Sequence, residues 1–178
     1  EAGSIYNKPG WDYRSELYVR TEKAVELMLG AFLRAAEKYD RTIIFRTWSV
    51  GVGKIGDMHT SPETYNEILG QIDSEHLVVS TKYVEGDFYS WLPVNPTLFT
   101  GDHRRIIEFQ AKREYEGFGA IPNYLGPLHQ AAIQAIQSRN PKVEGAWVWT
   151  QYGGPLRAGP MIIYPFYGFN VINDLNVY

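Results

Sequence analysis

The chain has 178 residues, no cysteine, and a formal net charge of −3 from 17 Lys and Arg against 20 Asp and Glu. That length suits one domain or part of a larger one, and the slight negative charge argues against a nucleic-acid partner, which needs concentrated cationic side chains. The absence of cysteine excludes disulfide scaffolds and thiolate zinc sites but does not determine the cellular compartment. No apolar stretch approaches the roughly 20 residues that cross a bilayer.

Helix and strand patterns alternate through the first half of the chain. An amphipathic helix is predicted over residues 16–38, ending at Asp40, followed by a buried strand over 42–48. Ser61 and Pro62 are typical of a helix N-cap and a first helical position, so a second helix is predicted after them. The side chains that the first helix is predicted to bury are Ala24, Met28, Ala31, Phe32 and Ala35.

The second half continues this alternation. Strands are predicted over 77–83, 105–114 and 143–151, with a long loop after the first of them. A helix is predicted from Pro127 to about Ser138. Because helices are predicted between all consecutive strands and no tight hairpin is predicted, the chain should form parallel β-α units.

Parallel β-α units either close into a (β/α)8 barrel or stay open as a doubly wound sheet. A complete barrel needs eight strands and typically about 250 residues, whereas four strands are predicted here. We therefore expect residues 1–178 to form one domain that is half of a (β/α)8 barrel within a longer chain, with a small open sheet as the alternative. The open edge strands of a half barrel need a partner, either the remaining half of the barrel or a second copy in a homodimer.

Polar side chains collect at the predicted carboxyl ends of the strands, where parallel β-α folds place their active sites. The polar residues that share one face of the 105–114 strand are Glu108, Gln110, Lys112 and Glu114. The loop after the preceding strand adds Asp87. Glycoside hydrolysis requires two carboxylates that flank a sugar bond, so Asp87 and Glu114 are candidate catalytic residues. The alternative is a solvated rim of salt-bridged loops.

One segment resembles a known enzyme family. Residues 106–128 (IIEFQAKREYEGFGAIPNYLGPL) are similar to a signature of the α-glucuronidases of glycoside hydrolase family 67, in which an E-[FL]-Q strand runs into a Q-E-Y-x-G turn. Residues 45–48 (FRTW) resemble the family's W-R-A-F strand, and residues 81–88 (TKYVEGDF) resemble its V-K-N-G-P-I-D-F segment. Residues 176–178 (NVY) resemble an N-W-Y that opens the family's last barrel helix. The positions of the main segment that match in register are Glu108, Gln110, Glu114, Tyr115, Gly117, Tyr124, Leu125 and Pro127.

The resemblance implies strands five to eight of a (β/α)8 barrel. It also implies an inverting hydrolase that removes α-linked glucuronic or 4-O-methylglucuronic acid from xylan fragments, with an oligosaccharide or polysaccharide as substrate. Asp87 and Glu114 would position and deprotonate the attacking water. Arg46 and Lys82 would bind the uronic acid carboxylate, or alternatively only neutralise the two catalytic carboxylates. The other strand-end residues expected to bind substrate are Trp48 and Gln110.

Departures from the family pattern leave other functions open. The family's general acid is a glutamate in an S-E-G-Q-P-G-P loop, where this chain has Ile5, and the nearest carboxylates are Glu1 and Asp12. Arg113 also replaces the glutamine that precedes the catalytic glutamate. A half barrel that binds carbohydrate without catalysis is therefore one alternative, and a different uronic acid linkage in an algal or pectic glycan is another.

Gly51, Gly53 and Gly56 form a literal G-x-G-x-x-G after a strand, which makes a nucleotide-binding α/β domain the second alternative function. A dinucleotide site needs its third glycine inside the following helix and an acidic residue at the end of the next strand. The helix is predicted to begin only after Ser61, and Lys82 stands where the acid is needed. We therefore favour a βα loop and expect no cofactor.

Histidine and tryptophan give weaker signals. The four histidines are His59, His76, His103 and His129. They are far apart in sequence and lack metal-ligand spacing, so surface or capping roles are predicted and no metal is expected. Trp147 and Trp149 alternate with smaller side chains, so one set should face the helices and the other the barrel interior.

Overall fold

The computed structural model describes residues 21–47, 58–86, 93–110 and 125–149. These segments form an α/β fold in which the four predicted strands are present, the first two being shorter than predicted because Thr42, Thr47 and Tyr83 lie outside them. In chain order the elements are α1 (Thr21–Tyr39), β1 (Ile43–Arg46), α2 (Pro62–Leu69), β2 (Leu77–Lys82), a short 3-10 helix (Pro96–Phe99), β3 (Arg104–Gln110), α3 (Gly126–Gln137) and β4 (Val143–Trp149). None of the described helices is both long and apolar enough to cross a membrane.

The sheet has the strand order β1-β2-β3-β4, and every neighbouring pair is parallel. Each strand therefore lies beside the strand that precedes it in sequence. Arg46 of β1 pairs with Ser80 of β2, and Lys82 of β2 pairs with Glu108 of β3. Because all four strands run in the same direction, their carboxyl ends lie along one edge of the sheet.

The pairing of β3 with β4 contains a β-bulge. Arg105 pairs with Val143, but the next residue, Ile106, pairs with Gly145, so Glu144 is an extra residue on β4. A one-residue insertion of this kind shifts the alternation of side chains along the strand by one position.

All three described α-helices pack on the same face of the sheet. The helices α1 and α2 share a buried apolar cluster with Phe45 of β1 and Val79 of β2. The helix α3 packs against Ile107 and Phe109 of β3 in a second cluster. Side-chain alternation and the strand register place these four strand residues on one side, so the remaining strand positions point to the opposite face.

The buried face of α1 differs from the prediction. The predicted inward residues that are exposed are Met28, Ala31, Phe32 and Ala35. The residues that α1 buries instead are Val25, Leu29, Leu33 and Ala36. Two apolar stripes lie one residue apart on this helix, so their spacing does not decide between them, and packing against Phe45 and Ile68 selects the aliphatic stripe. The side chain of Ala24 and residues 16–20 lie outside the described residues.

The connection between β2 and β3 corrects the prediction of a helix between all consecutive strands. In its described residues, 83–86 and 93–103, the only helical segment is the 3-10 helix Pro96–Phe99. Asn95 caps this segment, because its Oδ1 accepts a hydrogen bond from the Thr97 backbone N–H at 3.0 Å. Proline at the start of the segment is compatible with such a turn, since the first N–H groups of a helix need no internal acceptor.

The predicted C-terminal end of α1, at Asp40, and the predicted N-terminal end of α2, at Ser61, are confirmed. Ser61 is the N-cap of α2, and its Oγ accepts a hydrogen bond from the Thr64 backbone N–H at 3.2 Å. Asp40 follows the last residue of α1 with a φ of 49°, in the left-handed region. The Arg41 N–H then donates to the Ala36 carbonyl at 2.9 Å, which closes the helix.

Replacing Ser61 with alanine should lower the free energy of unfolding by about 1 kcal/mol, because it removes the acceptor for the Thr64 N–H. Urea unfolding followed by circular dichroism measures the change. Ser138→Ala is the matched control, since Ser138 is exposed at the end of α3 and donates to the Ala135 carbonyl. Its effect should stay within about 0.5 kcal/mol, and equal losses in the two variants would contradict the capping role.

Candidate functional site

Three charged side chains lie near the carboxyl ends of neighbouring strands. Arg46 is the last residue of β1, Lys82 is the last residue of β2, and Glu108 lies two residues before the end of β3. Lys82 and Glu108 are register partners, and Arg46 is paired with Ser80, two positions before Lys82. Alternation therefore brings the three side chains to the face opposite the helices. Arg46 and Lys82, predicted to end adjacent strands, do so.

Arg46 and Glu108 form a bidentate ion pair across β2. Arg46 Nε donates to Glu108 Oε2 and Arg46 Nη2 donates to Glu108 Oε1, both at 2.7 Å. The Glu108 side chain is 1% exposed and the Arg46 side chain is 20% exposed, so the pair is largely shielded from water. Hydrogen bonds between two ionised groups in this fork geometry are among the strongest in proteins.

The indole ring of Trp147 lies on the same face and links two strands. Trp147 is the register partner of Glu108, and its Nε1 donates to Ser80 Oγ of β2 at 2.8 Å. The ring therefore crosses β3 beside the ion pair. The next residue, Val148, packs into the cluster under α3, so the alternating set that contains Trp147 faces away from the helices. Trp149 belongs to the same set by register, and its side chain lies outside the described residues.

His59 is fully buried next to these charges, which corrects its predicted surface or capping role. Its main-chain carbonyl accepts hydrogen bonds from Asn95 Nδ2 and Thr97 Oγ1, both at 2.8 Å. Asn95 Nδ2 also lies 3.3 Å from His59 Nδ1, and because an amide NH2 group only donates, Nδ1 is the acceptor. These contacts fasten the end of the β1–α2 loop to the connection that follows β2.

The pKa of His59 is lowered to about 3. Burial is the largest cause, the positive charge of Lys82 is the next, and Arg46 lowers the value further, while the backbone of Glu85 opposes the shift. The imidazole is therefore neutral at physiological pH. Because the charges of Lys82 and Arg46 both lower its pKa, His59 lies within electrostatic reach of both cations. Lys82 is itself only 3% exposed, so its ammonium group belongs to the interior of the site.

His129 is also buried, contrary to its predicted surface role. Its ring stacks on Phe109 with a centroid separation of 4.4 Å, under α3. Burial lowers the pKa of His129 to about 4, so the ring is neutral at physiological pH and packs as a flat, largely apolar group. The sequence pattern gave no indication of this, because a histidine on a helix face fits a buried and an exposed position equally well.

A second buried polar cluster lies near the amino ends of the strands. Arg105 Nη2 donates to the Thr100 carbonyl at 2.7 Å and to Tyr65 Oη, and the guanidinium lies 4.9 Å from the Tyr65 ring centroid. Tyr65 Oη lies 3.0 Å from His103 Nδ1, and His103 Nε2 donates to the Ile72 carbonyl at 2.8 Å. Burial raises the pKa of Tyr65 to about 12, against the opposing effect of Arg105, so the phenol stays protonated. The cluster fastens α2 to β3.

Several predicted site residues lie outside the described part of the chain. They are Glu1, Asp12, Trp48, Gly51, Gly53, Gly56, Asp87, Lys112 and Glu114. Gln110 ends β3 in register with Trp149, and its side chain also lies outside the described residues. Helix α2 begins at Pro62, so Gly56 is not inside that helix as a dinucleotide motif requires.

Sequence reasoning did not give Glu108 or His59 a specific role in the site. For Glu108 a signal was available, because a carboxylate on a buried strand needs a cation on a neighbouring strand. For His59 no local signal exists, since the contacts that bury its loop come from Asn95 and Thr97, 36 and 38 residues away.

Within the described residues, no group of three or more His, Asp or Glu side chains is placed to hold a metal ion. The chain matches no protein-family model, and no curated protein is significantly similar to it. Its function must therefore be inferred from its own residues and their geometry.

The buried histidines should make the fold sensitive to acid. His59 has a pKa of about 3 in the folded chain but near 6.5 when unfolded, so the unfolded state binds more protons between those values. The free energy of unfolding should therefore fall as the pH drops from about 6.5 towards 3. His129, with a pKa of about 4, adds to the same fall above pH 4.

Urea unfolding at a series of pH values between about 7 and 4 measures this slope in wild type and in His59→Gln. We expect the variant to have a shallower slope, because glutamine does not titrate. His129→Gln should flatten the slope as well, mainly above pH 4. A His59→Gln variant with the wild-type slope would contradict the buried neutral histidine.

Proposed function

We propose that this chain is strands five to eight of the (β/α)8 barrel of a glycoside hydrolase that acts on an α-linked uronic acid in a plant or algal polysaccharide. The observation that carries this proposal is the placement of Arg46 and Lys82 at the carboxyl ends of adjacent parallel strands, on the face away from the helices. In a barrel that face is the interior, and its carboxyl end opens into the active site. A negatively charged sugar needs cations at this position.

Two features of the described sheet support a barrel half. The strands follow one another in chain order, and all the described helices lie on one face, as the outer layer of a barrel would. Among the described residues, β1 and β4 each have only one neighbouring strand, which leaves two parallel edges for further strands.

Apolar surface is present at both ends of the sheet. Beside β1, helix α1 exposes Leu27 and Phe32. Beside β4, a cavity of about 310 Å³ lies against α3 and is lined mainly by apolar side chains, among them Phe109, Ile133 and Val148. Exposed apolar side chains at one end and an apolar groove at the other suit the helix-on-helix contacts of a closed barrel. The partner is either the remaining half of the barrel or a second copy of this chain.

Lys82 and Arg46 have different parts in binding the uronic acid carboxylate. Glu108 already binds Nε and Nη2 of Arg46, so part of the guanidinium's charge is balanced within the site. Lys82 carries a compact charge that is 3% exposed, and a buried charge interacts strongly with an anion that displaces water from the cleft. Lys82 therefore adds a compact buried charge for the substrate, and Arg46 adds directional hydrogen bonds.

The reaction needs carboxylates in addition to these cations. Asp87 and Glu114 follow β2 and β3, which are neighbours in the sheet, so they suit the pair that orients and deprotonates the attacking water. Attack from the face opposite the leaving group inverts the anomeric carbon, which requires the general acid and the general base to lie roughly 6.5–9.5 Å apart. A general acid must protonate the leaving oxygen at the same time.

Ile5 favours a second candidate function. It stands where the resembling family has its general acid, and without that acid the leaving group is not protonated. A half barrel with the cations but without the acid would bind uronic acids and not hydrolyse them. The full-length protein that contains this chain, incubated with aldouronic oligosaccharides, distinguishes the two. Release of glucuronic acid as the β-anomer supports the hydrolase, binding without release supports the binding protein, and no binding contradicts both.

Lys82→Gln should lower kcat/KM for a uronide by roughly 10- to 100-fold, because the charge that the carboxylate meets is removed. Activity on a neutral hexoside should change little. Lys142→Gln is the matched control, since Lys142 is exposed and precedes β4 at the opposite edge of the sheet. Equal losses on the two substrates would remove uronic acid recognition from the proposal and leave a glycosidase.

Asp87→Asn and Glu114→Gln should each lower kcat by about 100-fold or more on every substrate, because both carboxylates act on the water and not on the sugar substituent. The KM for the uronide should change much less. Steady-state kinetics on a uronide and a neutral hexoside measures both parameters. A loss confined to the uronide would reassign the carboxylate to substrate recognition.

A further inference from the structure

The guanidinium of Arg46 carries five N–H bonds in one plane, and Glu108 binds two of them. Nε and Nη2 form one edge of that plane, and each donates to a different oxygen of Glu108 at 2.7 Å. A two-bond contact fixes the plane of the guanidinium relative to the carboxylate, whereas a single bond leaves it free to rotate. The head group of Arg46 therefore has a set orientation.

Glu108 is suited to set this orientation because its own position is tightly constrained. It lies within β3, between its register partners Lys82 on one side and Trp147 on the other, and its side chain is 1% exposed. Arg46 is at the end of β1 and has the longer and more exposed side chain. Such a side chain has several rotamers to lose, and the contact with Glu108 removes that freedom before a ligand arrives.

The charge of Glu108 works against an anionic ligand. A buried carboxylate in contact with Arg46 repels any second carboxylate that approaches the same guanidinium. If the site needed only positive charge, a neutral residue in place of Glu108 would bind an anion more tightly. A buried carboxylate at this point is useful when the direction of the Arg46 N–H bonds matters more than the net charge.

We infer that Glu108 is a positioning residue for uronic acid recognition, because its two-bond contact fixes the plane in which the Arg46 guanidinium meets the carboxylate of the sugar. This inference rests on the proposed function. It makes Glu108 a determinant of the preference for uronic acids over neutral sugars. Glu108 acts through Arg46 and does not touch the reacting atoms.

Glu108→Gln tests the inference, because glutamine keeps the size of the side chain and loses the charge and one acceptor. In the full-length protein that contains this chain, D-glucuronate should bind about 10-fold more weakly and D-glucose should bind as before. Titration calorimetry measures both dissociation constants. Removal of a repelling charge alone would strengthen glucuronate binding, so unchanged or tighter binding overturns the inference.

Glu144→Gln is the matched control. Glu144 forms the same two-bond pair with Arg104, at 3.0 and 2.9 Å, on the exposed surface. This substitution should leave glucuronate binding at the wild-type value. A loss as large as that of Glu108→Gln would overturn the inference, because breaking any such pair would then have the same effect.

Arg46→Lys provides a second test, both alone and combined with Glu108→Gln. Lysine keeps the positive charge but cannot form a two-bond contact, so an about 10-fold loss of glucuronate binding is expected. The double variant should lose no more glucuronate affinity than either single variant, because both substitutions remove the fixed orientation of the donor groups at position 46. Losses that multiply overturn the inference. Glu108→Asp, which keeps the charge at shorter reach, should recover part of the wild-type preference.

The wild-type protein separates failure of the inference from failure of the proposed function. If it binds D-glucuronate no better than D-glucose, the proposed function is overturned and the inference with it. If it prefers D-glucuronate and that preference survives Glu108→Gln, only the positioning role of Glu108 is overturned.

Discussion

In a parallel sheet each strand sends every second side chain to one face, and the pairing of β1, β2 and β3 keeps that alternation in register. One face meets the helices and buries apolar side chains from Phe45 to Phe109. The other receives charged groups from three different strands at one edge. Because the register is fixed by backbone hydrogen bonds, Arg46 and Glu108 meet across β2 without any loop having to bring them together. The position of the charged cluster is thus a property of the sheet itself.

Two buried polar clusters among the described residues differ in how their charge is compensated. At the amino ends, the hydrogen bonds of Arg105 go to a phenol and a carbonyl, both neutral, and burial lowers its pKa. At the carboxyl ends, Arg46 has a carboxylate partner and neighbours the cation Lys82 and the neutral His59. The first arrangement joins a helix to a strand. The second concentrates groups of opposite sign where parallel folds bind their ligands. Burying several charges costs more desolvation free energy, and such clusters are typical of functional sites.

Sequence reasoning anticipated the elements better than the contacts. The strands, the Ser61 cap and the end of α1 at Asp40 follow from local preferences, which act over a few residues. The prediction of the buried face of α1 was wrong, because that helix carries two apolar stripes and only tertiary packing determines which of them is buried. The burial of His59 could not be foreseen either, since it depends on contacts with Asn95 across the loops. Arg46 and Lys82 were expected near the ends of adjacent strands and lie there, because the apolar runs that predict β1 and β2 are local features of the sequence.

The extra residue Glu144 changes the face of the sheet to which the later residues of β4 point. Before it, Val143 lies on the helix side with Arg105, and after it, Ala146 and Val148 are in register with helix-side residues of β3. If Glu144 were a regular strand residue in register with Ile106, the odd-numbered positions of β4 would all turn towards the helices, and Trp147 would leave Ser80 for a position under α3. The bulge therefore acts as a spatial frameshift, because it sets the face on which every later residue of β4 lies. Deleting Glu144 alone would remove the bulge and keep those faces, since Val143 and Gly145 already pair with consecutive residues of β3.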